Sequence, residues 1–200
     1  MPQVLKQEIE DKIVVSAKEL FIAYGYDSVS MSMIARNAGI AVGNIYRYFS
    51  GKDQLFRHLA RPVALKLKNL FSNPPKTYSN EEVEKKIAGF LHIYDSERDL
   101  LFFLLENSHN TEFQGLKQMI IEGFAGAALK WRDKSTENTQ DRYSDVFIKA
   151  YAIAYVNGII SIFAGNMEDT ERKAEFYQFA SFMKNSLQRD FRKKRGIENE

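Results

Sequence analysis

The sequence predicts an all-α protein, on three observations. Apolar residues recur at helical spacing along most of the 200 residues, and no segment sustains the alternation of a strand. Breakers fall mostly between these stretches: Gly25, the run Asn73-Pro74-Pro75, and the polar residues 135–141. Residues 30–53 read as two short helices about a tight turn, with another helix starting directly behind them. The expected architecture is an N-terminal three-helix helix–turn–helix domain followed by a larger C-terminal helical domain, with about nine helices in all.

The first helix is expected over 7–24, with Ile9, Ile13, Ala17, Leu20, Phe21 and Tyr24 on one stripe and Gly25 as its stop. Ser30 is a plausible N-cap for the second helix. There Ile34 and Ala35 lie one turn before Ala38, Gly39 interrupts, and the pattern resumes through 43–49 with Ile45, Tyr46 and Phe49. A small residue at such a turn lets two helices cross steeply without a clash. Ser50-Gly51-Lys52-Asp53 reads as a capping box opening the fourth helix, about 51–72, which Pro62 should kink. Beyond the Pro-Pro break come segments 80–94, 97–108, 112–133, 142–165 and 169–194, the last two apolar along wide stripes.

Charge is distributed unevenly. Residues 1–72 carry ten basic and six acidic side chains, the remainder eighteen and twenty. From 28 to 72 the basic residues Arg36, Arg47, Lys52, Arg57, Arg61, Lys66 and Lys68 face a single acid, Asp53. Positive charge concentrated on a helix–turn–helix is the footprint of a nucleic-acid reader, with a second function expected of the rest. The absence of cysteine excludes disulfides, thiolate catalysis and cysteine zinc sites. The first twelve residues lack the apolar core of a signal peptide. The longest apolar stretch, 151–165, is interrupted by Asn157 and falls short of the ~20 residues a bilayer requires. A cytoplasmic protein without a membrane partner is expected.

The spaced set Ser30, Ile34, Ala35, Ala38, Gly39, Ile40, Gly43, Ile45, Tyr46, Tyr48, Phe49, Lys52 and Leu55 resembles the DNA-binding signature of the TetR family of bacterial transcriptional regulators. The likeness covers about 50 residues from Ile13. The chain departs from it at Ala41 and Val42, where the family often carries polar residues. The resemblance implies a DNA-binding domain in residues 1–55, a fourth helix (about 51–72) linking the two parts, and a ligand-binding and dimerising domain in residues 73–200. It also implies that Tyr46 and Lys52 touch the DNA backbone, while Val42, Gly43, Asn44, Arg47 and Tyr48 face the groove. Their chemistry agrees. Asn44 can pair with an adenine edge and Arg47 with guanine or phosphate, and Gly43 permits close backbone approach. Lys52 sits in a first helical turn that already favours an anion, and Ser30 can both cap and donate to a phosphate.

Operators read by one small module rarely suffice, so such proteins dimerise on two half-sites. Tyr151, Gly158, Ile159 and Ile162 on one late helix, with Phe176, Phe179 and Met183 on the other, are the candidate interface of a four-helix contact. The resemblance further implies a small apolar or aromatic effector. Candidate pocket residues are Phe90, Tyr94, Phe102 and Phe103, then Met119, Phe124 and Tyr155, with Glu106 and His109 as polar members. His92, Glu106 and His109 also allow a bundle metal site, but the three histidines are isolated and no catalytic motif stands out. No cofactor or catalytic residue is expected. The function anticipated is a ligand-responsive, DNA-binding repressor, released from a palindromic double-stranded operator by a small apolar molecule. The alternative is a helical protein–protein adaptor with a degenerate helix–turn–helix.

Overall fold

The computed structural model describes residues 3–72, 80–135 and 143–193, and every regular element among them is a helix. The order is α1 (Gln3–Tyr24), α2 (Met31–Asn37), α3 (Val42–Ile45), α4 (Lys52–Ser72), α5 (Asn80–Glu106), α6 (Leu116–Ser135), α7 (Asp145–Ala164) and α8 (Asp169–Lys193). The two segments expected over 80–94 and 97–108 are one element, broken at Glu97, whose φ of −143° and ψ of 36° leave the helical region. That break separates the ninth helix read from the sequence. Of the polar loop expected over 135–141, all but Ser135 lies outside the described residues, as do the Asn73-Pro-Pro run and residues 194–200.

Packing divides the chain into two units, residues 1–70 with 87–117, and residues 71–86 with 118–200. This division differs from the boundaries expected at 55 and 73, because residues 87–117 pack with the helix–turn–helix.

In the first unit, Ile13, Ala17 and Phe21 of α1 are buried, as the periodicity requires, whereas Tyr24 is exposed at the helix end. Gly25 follows at φ +78°, donating its N–H to the Phe21 carbonyl at 2.9 Å. Phe56 on α4 is the hub of an aromatic cluster. Its ring centroid lies 5.2 Å from Phe21, 5.0 Å from Tyr26, 5.5 Å from Phe103 and 5.9 Å from Phe113. Edge-to-face geometry recurs among these pairs, which adds a modest attraction to the burial itself. Polar links bind the same segments at the surface: Lys18 to Glu97 at 2.9 Å, Asn110 to Asp27 at 2.8 Å, and Arg57 to Glu112. Being half-exposed, each contributes little stability but narrows the arrangement.

The helix expected from 112 begins only at Leu116. Thr111 Oγ1 donates to the Ser108 carbonyl at 2.6 Å and accepts the Phe113 N–H at 3.2 Å, and Asn110 takes a φ of +59°. This buried turn satisfies its own backbone and so postpones the helix.

In the second unit, α7 and α8 pack along a seam where Gly158 lies beneath the Phe179 ring. Phe179 stacks on Tyr155 at 5.8 Å, which meets Phe124 edge-on at 4.9 Å, and Phe124 lies 5.2 Å from Phe71. Tyr151 donates its hydroxyl to the Met183 carbonyl, and burial pushes that phenol up to about 12. Buried Arg172 closes the α7–α8 corner, donating to the carbonyls of Gly165 at 3.0 Å and Met167 at 2.5 Å and pairing with Asp169 at 2.6 Å. It thereby occupies carbonyls that a helix end leaves unsatisfied.

The apolar length of α7 exceeds the expectation from 151–165. This 20-residue helix, with a mean hydropathy of 1.7 over an 18-residue window, is long and apolar enough to cross a bilayer by length and composition. Ile148, Ala152, Val156, Ile159, Ile160 and Phe163 are nevertheless buried on one side, so core packing accounts for much of that character.

Candidate nucleic-acid interface

The helix–turn–helix is held by backbone geometry at both ends of α2. Ser30, extended at φ −117°, accepts the Met33 N–H on its Oγ at 3.2 Å, as an N-cap does. At the other end Gly39 takes φ +68°. Its N–H donates to the Arg36 carbonyl at 3.2 Å, and the Ile40 N–H reaches back to Ala35 at 2.9 Å. Those two bonds form a Schellman stop, which requires the left-handed residue that glycine supplies cheaply. The turn predicted at Gly39 thus has a definite geometry.

α3 is shorter than the segment expected over 43–49. It spans Val42–Ile45, starts after Ala41 without a side-chain cap, and tightens into turns in which Arg47 bonds to Asn44 at 3.1 Å and Tyr48 to Ile45 at 3.0 Å. Ile45 and Phe49 anchor the element, with 0% and 3% exposure. With those two inside, Val42, Gly43, Tyr46 and Arg47 face outward, and Asn44 and Tyr48 are half-buried. Tyr46, expected to touch the DNA backbone, is 52% exposed. A Cβ at Gly43 would meet nothing within 4 Å, so the protein's own packing does not demand glycine there.

Lys52 is placed differently from a free phosphate ligand. Its Nζ donates to the Tyr26 carbonyl at 2.9 Å and sits 4.3 Å from the Tyr26 ring centroid. Tyr26 donates its hydroxyl to Asp53, and burial together with that acid raises the phenol's pKa. Asp53 therefore does not close the capping box. Gln54 does so one residue later, its Oε1 accepting the Ser50 N–H at 2.5 Å. The Tyr26 anchor had no signal in local spacing, since it joins residues 26 apart.

The electrostatic consequence is a reading face with little counter-charge. Asp53, the one acid over 28–72, accepts the Tyr26 hydroxyl, while exposed Arg57 is paired with Glu112. Arg36 and Arg47 are exposed and make no ion pair among the described residues. Arg36, one of the seven cations counted over 28–72, lies in the last turn of α2.

The residues named for an effector fall in both units. In the first, Phe90, Tyr94 and Phe103 are buried and Phe102 is half-buried, 6.3 Å from Tyr94. Phe103 packs on Phe56 as core. Glu106 is exposed and paired with Lys117 at 2.6 Å, and His109 is exposed, so neither is an interior polar group. In the second unit Met119, Phe124 and Tyr155 are half-buried. No three His, Asp or Glu side chains converge as a metal site among the described residues.

The residues named for dimerisation mostly serve the protomer itself. Ile159, Phe176 and Met183 are buried, and Tyr151, Gly158, Ile162 and Phe179 are half-buried in the α7–α8 seam. The exposed apolar side chains lie elsewhere on the same helices: Val146, Phe147 and Ile153 on α7, Tyr177 and Phe182 on α8, with Phe182 68% exposed. Both stripes are apolar, and only packing tells them apart.

Comparison with known proteins agrees with this geometry. Residues 13–59 match the model described as "Bacterial regulatory proteins, tetR family". The chain is 24% identical over 151 residues to the HTH-type transcriptional regulator QacR of Staphylococcus aureus (strain Mu50 / ATCC 700699), covering 75% of this chain and 70% of that one. It is 33% identical over 88 residues to the HTH-type transcriptional regulator HbdR of Aromatoleum sp. (strain CIB). That match spans 44% of this chain and only 33% of the relative. Among solved structures, a TetR-like transcriptional regulator from Rhodococcus sp. RHA1 superimposes with a TM-score of 0.62 at 20% identity, covering 94% of this chain and 98% of that one.

Proposed function

We propose that this chain, whose residues 13–59 match the model of the tetR family of bacterial regulatory proteins, is a member of that family and a homodimeric cytoplasmic repressor of a near-palindromic operator. The observation that carries the reading is the outward set on α3 and the turn after it, with Tyr46 and Arg47 exposed while Ile45 and Phe49 anchor the segment beneath them. Arg47 and Asn44 supply the base-edge donors, Gly43 the close approach, Tyr48 faces the groove beside them, and Tyr46 and Ser30 make the phosphate contacts. Lys52 acts in part through the Tyr26 loop that it holds in place. The second copy docks on the exposed stripe of α7 and α8, whose Val146, Ile153 and Phe182 would otherwise remain in water. Occupation of promoter DNA is sufficient for repression. A small apolar or aromatic effector re-spaces the two reading heads and removes phosphate contacts, which weakens binding steeply at physiological salt.

The test is fluorescence anisotropy of labelled DNA flanking this chain's own gene, measured across salt with the wild type and Arg47→Ala. Saturable binding with a steep salt slope is expected, and the variant should lose about 1–3 kcal/mol, the range of one good base or phosphate contact. Wild-type binding no tighter than to random DNA, at every salt concentration, would count against the operator reading.

A further inference from the structure

Val42 is the first residue of α3, and its surface is 41% exposed although it carries no polar atom. Ala41 before it is exposed as well and makes no cap. A single exposed valine is ordinary on a protein surface. Its placement makes this one informative, because it opens the helix that carries Asn44 and runs into the turn bearing exposed Arg47, and the neighbouring Gly43 leaves space for a close approach. Once α3 enters a groove, the two Val42 methyl groups lose water and gain only where they meet an apolar surface. The edges of the base pairs in the major groove are donors and acceptors, with one apolar group among them, the C5 methyl of thymine.

We propose that Val42 packs against a thymine methyl in each half-site and so selects thymine over cytosine at that position. This rests on the operator reading above and adds one base of its specificity. Arg47 and Asn44 would select by hydrogen bonding, whereas Val42 selects by shape and desolvation, a contact that salt does not screen.

The experiment uses a duplex enriched by the full-length protein from a random DNA pool. Each thymine is then replaced singly by deoxyuridine, which removes the methyl and leaves every hydrogen-bonding group in place. One position per half-site should weaken wild-type binding about fourfold, the value of burying one methyl group. Val42→Ala, an exposed substitution whose melting temperature verifies folding, should bind the parent duplex more weakly and lose little further at that same position. Binding unchanged at every deoxyuridine overturns the inference, as does an identical loss in wild type and Val42→Ala. Failure of the pool to enrich any sequence would overturn the operator reading itself, and this inference with it.

Discussion

Two glycines, one in each unit, show how differently the reading head and the α7–α8 pair are built. Gly39 is required by its backbone, since φ is +68° and a Cβ there would meet nothing within 4 Å. Gly158 has ordinary helical geometry, yet a Cβ would lie 2.3 Å from the Phe179 ring. The head owes its shape to local backbone geometry, and the pair owes its closeness to side-chain space. The first kind of requirement is visible in a few consecutive residues, while the second depends on a partner about twenty residues away.

Three substitutions sharpen that contrast, in falling order of effect on folding. Gly158→Ala should cost about 1–3 kcal/mol, because the Phe179 ring must leave its stack on Tyr155 or the helices must separate. Chemical denaturation would measure this, and Gly158→Ala combined with Phe179→Leu should recover part of the loss; no recovery would place the cost elsewhere. Gly39→Ala should cost about 1–2 kcal/mol from left-handed strain alone. No second-site trimming can relieve it, since no side chain is in the way, and DNA affinity should fall with it as the α2–α3 crossing changes. Phe182→Glu should change protomer stability by less than about 0.5 kcal/mol, the usual range for an exposed site. Sedimentation should nonetheless show a shift from dimer to monomer, and an unchanged dimer would move the interface off α8.

The same contrast explains which features were legible in the sequence. Ser30, Gly39, Ile45 and Phe49 took the roles their spacing implied, because each acts within one turn of its partners. Lys52 and Asp53 did not act only locally: Tyr26, which opens no recognisable motif, claims both. Glu106 was a reasonable polar lining residue until Lys117 paired with it at the surface. Arg57 was one of seven cations in the count, and Glu112 removes it from the face. On α7 and α8 the sequence showed apolar character on more than one side, and the side assigned to the second copy is the one that α7 and α8 bury against each other. Hydrophobic periodicity reports that a residue leaves water, and carries no record of which surface receives it.

Sequence alone therefore determined the helical class, the cap and the stop at the two ends of α2, and the anchors beneath α3. These depend on backbone preference and on contacts within a few residues. Tertiary structure decided which cations remain free, that residues 87–117 pack with the reading head around Phe56, and which stripe of α7 and α8 stays exposed. Those outcomes depend on pairings between residues far apart in the chain, where charge and burial are set by the neighbour that folding brings.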